Sequence, residues 1–362
     1  MKNMDNNIDN DTNSCKYLWE FPIEPAENIF SILNDCNRGA RTLCLISTSV
    51  KLGLFDYLDD WISEEEIEMI FSYPHLVNDF LLSLVESGLI EFKEGKYKNT
   101  KVSSVYLSRN SPYFQGAYLE KMNRHLKDLW IHLSDIINSG PVMYQEEEFF
   151  SELSLPSMAQ NAMCGRLQSV VQAIASLPEF PTMKKMIDLG GGHGLYAIAL
   201  ACKNSTLNAI VFDLPGVIPL TKKYIHSYNL QERVLVQGGN FLTDNIGDNY
   251  DLIFSSSNPS GKSPDMIKKI SKGLKPGGYF VTVQPGDETV AYDPINELEF
   301  SLWTFENIKI PKKSWSKNKK FLTEEYLNAL NTHKLSVQSI SRISDPYIKN
   351  YGVSMLIAKK EL

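Results

Sequence analysis

One run constrains this chain more than any other: Met186-Ile187-Asp188-Leu189-Gly190-Gly191-Gly192-His193-Gly194-Leu195-Tyr196. It reads as a buried strand ending in an acid, then a glycine turn, then the start of a helix. Glycines permit positive φ and let a ligand approach the main chain closely. The free N–H groups of the helix start face the same point. A second apolar strand, Ala209-Ile210-Val211-Phe212-Asp213-Leu214-Pro215, also ends in an acid, about 20 residues after the turn, where a carboxylate can bind both hydroxyls of a ribose. Further on, Leu274-Lys275-Pro276-Gly277-Gly278 leads into a third apolar run, Tyr279 to Val283. The spacing departs from a dinucleotide fingerprint. Three residues after Gly192 stands Leu195, where that fingerprint has Gly or Ala. A nicotinamide enzyme is therefore the weaker reading of the region.

Together these three pieces resemble the class I methyltransferases that use S-adenosyl-L-methionine. The alternation of strands and helices from Lys184 to Val283 argues independently for a doubly wound sheet, with ligands at the carboxyl ends of its strands. The resemblance assigns roles there. Asp188 orients the turn and reaches the methionine ammonium through a water. Gly190 and Gly192 leave room for the methionine part. Asp213 holds the ribose and Leu214 packs on adenine. Gly238-Gly239-Asn240-Phe241 matches an adenine-binding turn that usually has Asp where this chain has Asn240. Ser256 lies in the stretch that meets the cofactor after Phe254. His193 reads as turn packing.

Bulk properties exclude several classes. The chain has 362 residues, enough for about two domains. Its net charge of −7 opposes general nucleic-acid binding, which needs a positive field. Five cysteines (Cys15, Cys36, Cys44, Cys164, Cys202) have no paired metal-ligand spacing, so we expect no metal and a reducing, cytoplasmic setting. No apolar run reaches membrane-spanning length. Met1 to Ser14, rich in Asn and Asp, reads as a disordered tail.

The first half is helical and then forms a hairpin. Arg41 to Phe55 and Leu76 to Ile90 have apolar residues at helical spacing, stopped near Gly53 and Gly88. Ile90-Glu91-Phe92 and Lys96-Tyr97-Lys98 look like a two-stranded wing. A winged helix raises DNA binding, but the would-be recognition helix, His75 to Gly88, has no Lys or Arg and carries Asp79 and Glu86. The runs "LGLFDYL", "LVESGLIE" and "YLSRNSP" resemble the N-terminal domain of plant and bacterial O-methyltransferases. The resemblance extends from about Ala26 to Ile357. It implies an α/β fold with a C-terminal Rossmann-like doubly wound sheet and an N-terminal, mainly helical, winged-helix-like dimerisation domain. It also implies a homodimer, built by the helices between Pro25 and Leu58 with that from Gly116. The expected boundaries are 1–20 for the tail, 21–115 for the dimerisation domain, 116–177 for linking helices and 178–362 for the cofactor domain.

In the linking stretch, Tyr118, Met122, Leu126, Leu129, Trp130, Leu133 and Ile137 fall on one helical face, read as core. Glu146-Glu147-Glu148 reads as a solvated face. By the resemblance, the small-molecule substrate pocket takes Met163, Asn258, Phe300 and Trp303, although the aromatics Phe300, Trp303 and Phe305 serve equally as core.

The chain departs from the family at the base. There the fourth strand is followed by a histidine, usually in "LHDW" or "HHW", which takes the substrate proton. Here Asp251 to Ser257 runs into Asn258-Pro259-Ser260-Gly261-Lys262-Ser263-Pro264. The glutamate of the family's "ERT" stretch is replaced by Lys319-Lys320-Phe321-Leu322-Thr323. Three readings remain. One is O-, N-, S- or C-methylation, in secondary metabolism, by proximity and alignment without that base. The second is a cofactor-binding enzyme of another reaction, such as a pericyclase, using the sulfonium charge. The third is a non-catalytic cofactor-binding dimer. A histidine of the helical half, His125 or His132, is the alternative source of a base. The basic run from Lys309 to Lys320 reads as solvated surface, or as a cover for an acidic or carrier-bound substrate.

Overall fold

The computed structural model describes residues 17–71, 73–285, 293–306, 321–343 and 353–362. The sixteen N-terminal residues, Cys15 among them, and the basic run 309–320 lie outside the described residues. The chain divides into two compact units, up to Asn110 and from Ser111 on.

In the N-terminal unit, α1 (Ala26–Leu52) stops where Gly53 turns left-handed and returns its N–H to Ser49 and Val50 carbonyls. It is followed by α2 (Leu54–Tyr57), β1 (Ile62–Ser63), α3 (Glu64–Glu68), α4 (Val77–Glu86), β2 (Ile90–Lys93), β3 (Lys96–Asn99) and α5 (Lys101–Tyr106). A reciprocal Ser63/Glu66 capping box starts α3. The β2–β3 hairpin closes through Glu94 and Gly95, both at positive φ, as a two-residue turn with the strands' own twist requires. With β1 they form a three-stranded sheet, β1-β3-β2. Leu54, Phe55, Ile67, Leu81, Leu84 and Tyr97 fill its core. One stretch of α1 stays uncovered in the chain: Ile29, Phe30, Ile32 and Leu33 are each more than half exposed.

The C-terminal unit opens with helices: α6 (Gly116–His125), a π-helical turn (Leu126–Trp130) and α7 (Leu133–Ser139). Next come β4 (Val142–Tyr144), α8 (Glu146–Glu148), a second π-helical stretch (Phe149–Ser154), α9 (Leu155–Ala162) and α10 (Arg166–Ala175). The first π turn overturns the single apolar face expected for 118–137. It adds a residue to the helical repeat and rotates the helix beyond it, so Leu129 and Ile136 go inside while Leu126 and Ile137 face solvent.

The rest alternates as expected: β5 (Lys185–Leu189), α11 (Leu195–Lys203), β6 (Asn208–Asp213), α12 (Ile218–Ser227), β7 (Val234–Gly238), β8 (Tyr250–Ser256), α13 (Pro264–Gly273), β9 (Leu274–Pro285), α14 (Pro294–Ser301), β10 (Trp303–Phe305), α15 (Glu324–Thr332), β11 (Leu335–Ile343) and β12 (Val353–Lys360). Seven strands make one sheet, ordered β11-β12-β9-β8-β5-β6-β7. From β9 to β7 the neighbours are parallel, and β12 and β11 add antiparallel at one edge. The sheet is buried on both faces by alternation. Met186, Leu252, Phe254, Val281 and Val283 enter one core; Ile187, Leu189, Ile253 and Phe280 enter the other. The strand order reverses at β5, between β6 and β8, so the crevice for a ligand opens beyond the carboxyl ends of these three strands. Separately, β10 pairs parallel with β4.

Candidate active site

The glycine turn lies at that reversal. Gly190 and Gly192 adopt φ of 65° and 53°, the left-handed region where a side chain is strained. Space forbids one too: a Cβ at Gly190 would stand 2.7 Å from Asn258 Nδ2, and one at Gly192 2.6 Å from Leu155 Cδ1. The Gly190 N–H donates to Phe212 O, tying the turn to the end of β6. Thr221 Oγ1 holds the Gly192 carbonyl at 2.6 Å.

Two acids frame the turn. Asp213 Oδ2 accepts the Gly192 N–H and Oδ1 accepts the Leu214 N–H, both at 2.7 Å. Burial raises its carboxyl above the usual range despite these bonds. Asp188 is 1% exposed and its Oδ2 has no hydrogen-bond partner among the described residues. Burial first, then the Asp213 charge, pushes its carboxyl up to about 8. Two carboxyls so placed make a site short of a cation. A pyrophosphate would disfavour ionising either carboxyl, whereas a sulfonium with an ammonium favours the ionised form of both.

The other expected residues divide. Phe241 approaches the turn, its Cε1 3.1 Å from the position of a Gly190 Cβ. Ser256, at the end of β8, lies beside the Tyr196 hydroxyl. Asn240 is exposed and its Oδ1 already accepts the Leu242 N–H at 2.9 Å, so its amide shapes its own turn. Asn258 is fully engaged. Nδ2 donates to Leu189 O at 2.7 Å, while Oδ1 accepts from Ser255, from the Ser260 N–H and from the Ser260 hydroxyl. It braces β8 against the turn. Met163 caps α9 and packs on the main core. Trp303 stacks on Phe149 with ring centroids 4.4 Å apart, whereas Phe300 is 45% exposed.

His193 is buried, and Nδ1 accepts the Leu195 N–H at 3.1 Å. Burial and then Arg166 hold it down to about 3, so it stays neutral, as turn packing requires. Several participants had no local signal in the sequence. Buried Arg166, at the start of α10, lies beside Tyr196 and faces His193. Leu155 covers Gly192. Glu146 turns partly inward: burial, Glu147 and Asp213 raise its carboxyl, and Glu147 lies against Gly216. The acidic run is therefore only in part a solvated face. Among the described residues no cluster could hold a metal ion.

Residues 143–303 match the O-methyltransferase domain family. Over 336 residues the chain is 32% identical to an uncharacterized protein of Methanocaldococcus jannaschii, covering 91% of this chain and 90% of that one. The chain belongs to the O-methyltransferase family. Another relative, the N,N-dimethyltransferase OxyT of Streptomyces rimosus, is 27% identical over 78% of this chain and 86% of its own. The solved structure of human N-acetylserotonin methyltransferase in complex with S-adenosylmethionine shares the fold. It superposes with a TM-score of 0.66 at 21% identity, over 95% of this chain and all of that one. As a family member this chain is a methyltransferase that uses S-adenosylmethionine. That membership favours methyl transfer over the pericyclase-like and non-catalytic readings.

Proposed function

We propose that this chain methylates an O, N, S or C atom of a small molecule of secondary metabolism, with the cofactor held by the glycine turn and its two acids. The carrying observation is the pair of carboxyls, buried Asp188 and half-buried Asp213, around a glycine turn whose positive φ strains any side chain. When bound, S-adenosylmethionine supplies an electrophilic methyl on a charged sulfur. Asp213 has acceptor capacity left on both oxygens after its two main-chain bonds, enough for two ribose hydroxyls. Asp188 offers its unpartnered oxygen to the ammonium. Leu214 and Phe241 flank the adenine, with Asn240 at its edge, while Leu155 and the Phe149–Trp303 stack keep water out.

At the end of β8, where the family resemblance leads one to expect a histidine, Asn258 has its amide committed to the turn and cannot take a proton. Rate enhancement then rests chiefly on proximity and alignment. Any proton acceptor comes from elsewhere in the chain. The relatives' names include an N,N-dimethyltransferase beside the O-methyltransferase family itself, which suits a fold whose target atom varies.

The exposed apolar residues of α1 support a homodimer through this helix. The free cysteines Cys36, Cys44, Cys164 and Cys202 suit a reducing cytoplasm. No described helix is long and apolar enough to cross a membrane. Purified protein incubated with methyl-labelled S-adenosylmethionine and a small-molecule extract of the source cells should yield labelled product and S-adenosylhomocysteine. Tight cofactor binding with no transfer of label from any fraction would defeat the proposal.

A further inference from the structure

We propose that His125, oriented by Glu299, is the general base for the substrate nucleophile. This role rests on the methyltransferase reading above. His125 ends α6, is 6% exposed, and places Nδ1 3.0 Å from Glu299 Oε1. The other carboxylate oxygen, Oε2, accepts the Trp130 indole N–H at 2.9 Å. Glu299 is thus fixed at both oxygens. The hydrogen bond from His125 is the first cause holding its carboxyl below the ordinary range. An ionised carboxylate only accepts, so in the neutral ring Nδ1 carries the hydrogen and Nε2 presents its lone pair. That Nε2 is buried and has no hydrogen-bond partner among the described residues.

A brace between helices has no use for such an atom. Burying a ring nitrogen unpaired is costly, and exceptions of this kind in folded proteins call for a ligand or a chemical role. Glu299 itself is a poor base, with both oxygens occupied and its proton affinity reduced. Of the six histidines, His193 serves the glycine turn, His333 is half-buried beyond α15, and His75, His132 and His226 are exposed. Only His125 is paired to a carboxylate within the described residues.

Two independent routes through the fold bring this pair toward the cofactor turn. First, α6 begins beside the end of α9: Gln115 Nε2 donates to Gln160 O, and the Ala117 N–H donates to Gln160 Oε1 at 2.8 Å. The two helices pack along each other, so α6 runs back toward the start of α9, and His125 lies about 12 Å along it from Ala117. That end of α9 is Leu155, which covers Gly192. Second, Glu299 precedes Trp303, which stacks on Phe149 in the π-helical stretch leading into Leu155. Both irregular segments, Leu126–Trp130 and Phe149–Ser154, adjoin this spot, and π-type turns gather at functional sites.

The step balances. Nε2 takes the proton from the nucleophile as the nucleophile's electron pair bonds the methyl carbon, and the methyl–sulfur pair returns to sulfur. The positive charge lost there reappears on the imidazole, opposite Glu299. The charged and titratable groups around the pair are Glu299 on α14 and, on α6 itself, Lys121 and Tyr118. Burial pushes Lys121's ammonium down while Glu299 pulls it up, and burial pushes the Tyr118 phenol up.

The test uses the full chain with 15N-histidine, loaded with S-adenosylhomocysteine, and the variants His125→Gln and Glu299→Gln. His125→Gln assigns the resonance. With the pH raised until the ring is neutral, the expected wild-type signal is protonation at Nδ1 with Nε2 bare, and Glu299→Gln should abolish that single tautomer. A ring protonated at Nε2 overturns the proposal whether or not turnover is seen. With labelled S-adenosylmethionine and the source extract, His125→Gln should lose about 10²–10⁴-fold in kcat, with S-adenosylhomocysteine affinity by calorimetry unchanged. Turnover within threefold of wild type overturns it. Should His125→Gln fail to fold, the Glu299→Gln tautomer and kcat decide. Failure of the wild type to bind the cofactor product is a different result: it removes the methyltransferase reading, not the dyad.

Discussion

Cofactor binding should release a proton, and Asp188 should be its source. Without a cation, burial and then the Asp213 charge hold the Asp188 carboxyl up to about 8. At pH 7 it is therefore about nine-tenths protonated. Tyr196 is the other titratable group facing it, and Arg166 lies beyond that hydroxyl. S-adenosylmethionine brings an ammonium and a sulfonium, which favour the ionised carboxylate. Binding at pH 7 should then expel on the order of one proton and carry a cost of about 1.4 kcal/mol for ionising a group one unit below its pKa. Affinity should rise with pH by up to about tenfold per unit below pH 8 and flatten above it. Calorimetry at pH 7 in two buffers of different ionisation enthalpy measures the release directly. Asp188→Asn should abolish both the release and the slope. The sign for folding is fixed by the same shift. The native carboxyl binds its proton more tightly than the unfolded one, so its stabilising contribution is complete below pH 3.8 and is lost as pH rises toward 8. Buffer-independent enthalpies together with a flat affinity from pH 6 to 9 would refute the reasoning.

Three further outcomes are expected. Asp213→Ala removes two ribose acceptors and frees the Gly192 and Leu214 N–H groups, so S-adenosylmethionine should bind at least about tenfold more weakly, at about 1.5–3 kcal/mol per charged hydrogen bond; unchanged affinity by calorimetry would remove Asp213 from the site. Light scattering at micromolar concentration should give twice the 41.0 kDa chain mass, and a polar substitution such as Phe30→Asp on α1 should shift it toward monomer. His193→Asn can keep the acceptor for the Leu195 N–H and loses a ring that never charges near neutrality, so turnover should stay within a few-fold of wild type. A loss of two orders with cofactor still bound would place His193 in the chemistry.

The cofactor turn was legible because its determinants are local. Positive φ at Gly190 and Gly192 and an acid closing each of β5 and β6 all leave marks within a few residues. The buried alternation of β8 and β9 is equally local, since the pleat repeats every two residues. The helical half was less legible for a definite reason. Helical spacing predicts faces only while the repeat holds, and the π turn at Leu126–Trp130 breaks it, sending Ile137 out and Ile136 in. Pairing of β10 with β4 joins short strands distant in sequence, which neither strand signals alone.

The chemistry, too, falls in the least legible part of the chain. A base after the fourth strand is readable because a motif surrounds it, and its absence here leaves Asn258 as a brace. His125 and Glu299 are 174 residues apart, and neither has a neighbouring pattern to mark it. Only folding shows that an unpartnered ring nitrogen faces inward at the end of α6, beside a carboxylate whose two oxygens are already engaged. The π turn that spoiled the periodicity begins at the residue after His125 and contains Trp130, the second donor to that carboxylate. The one residue added to the repeat shifts the register by about 100°, so a regular helix would turn Trp130 to another face. The irregularity that defeats a reading by periodicity is thus the feature that assembles the pair.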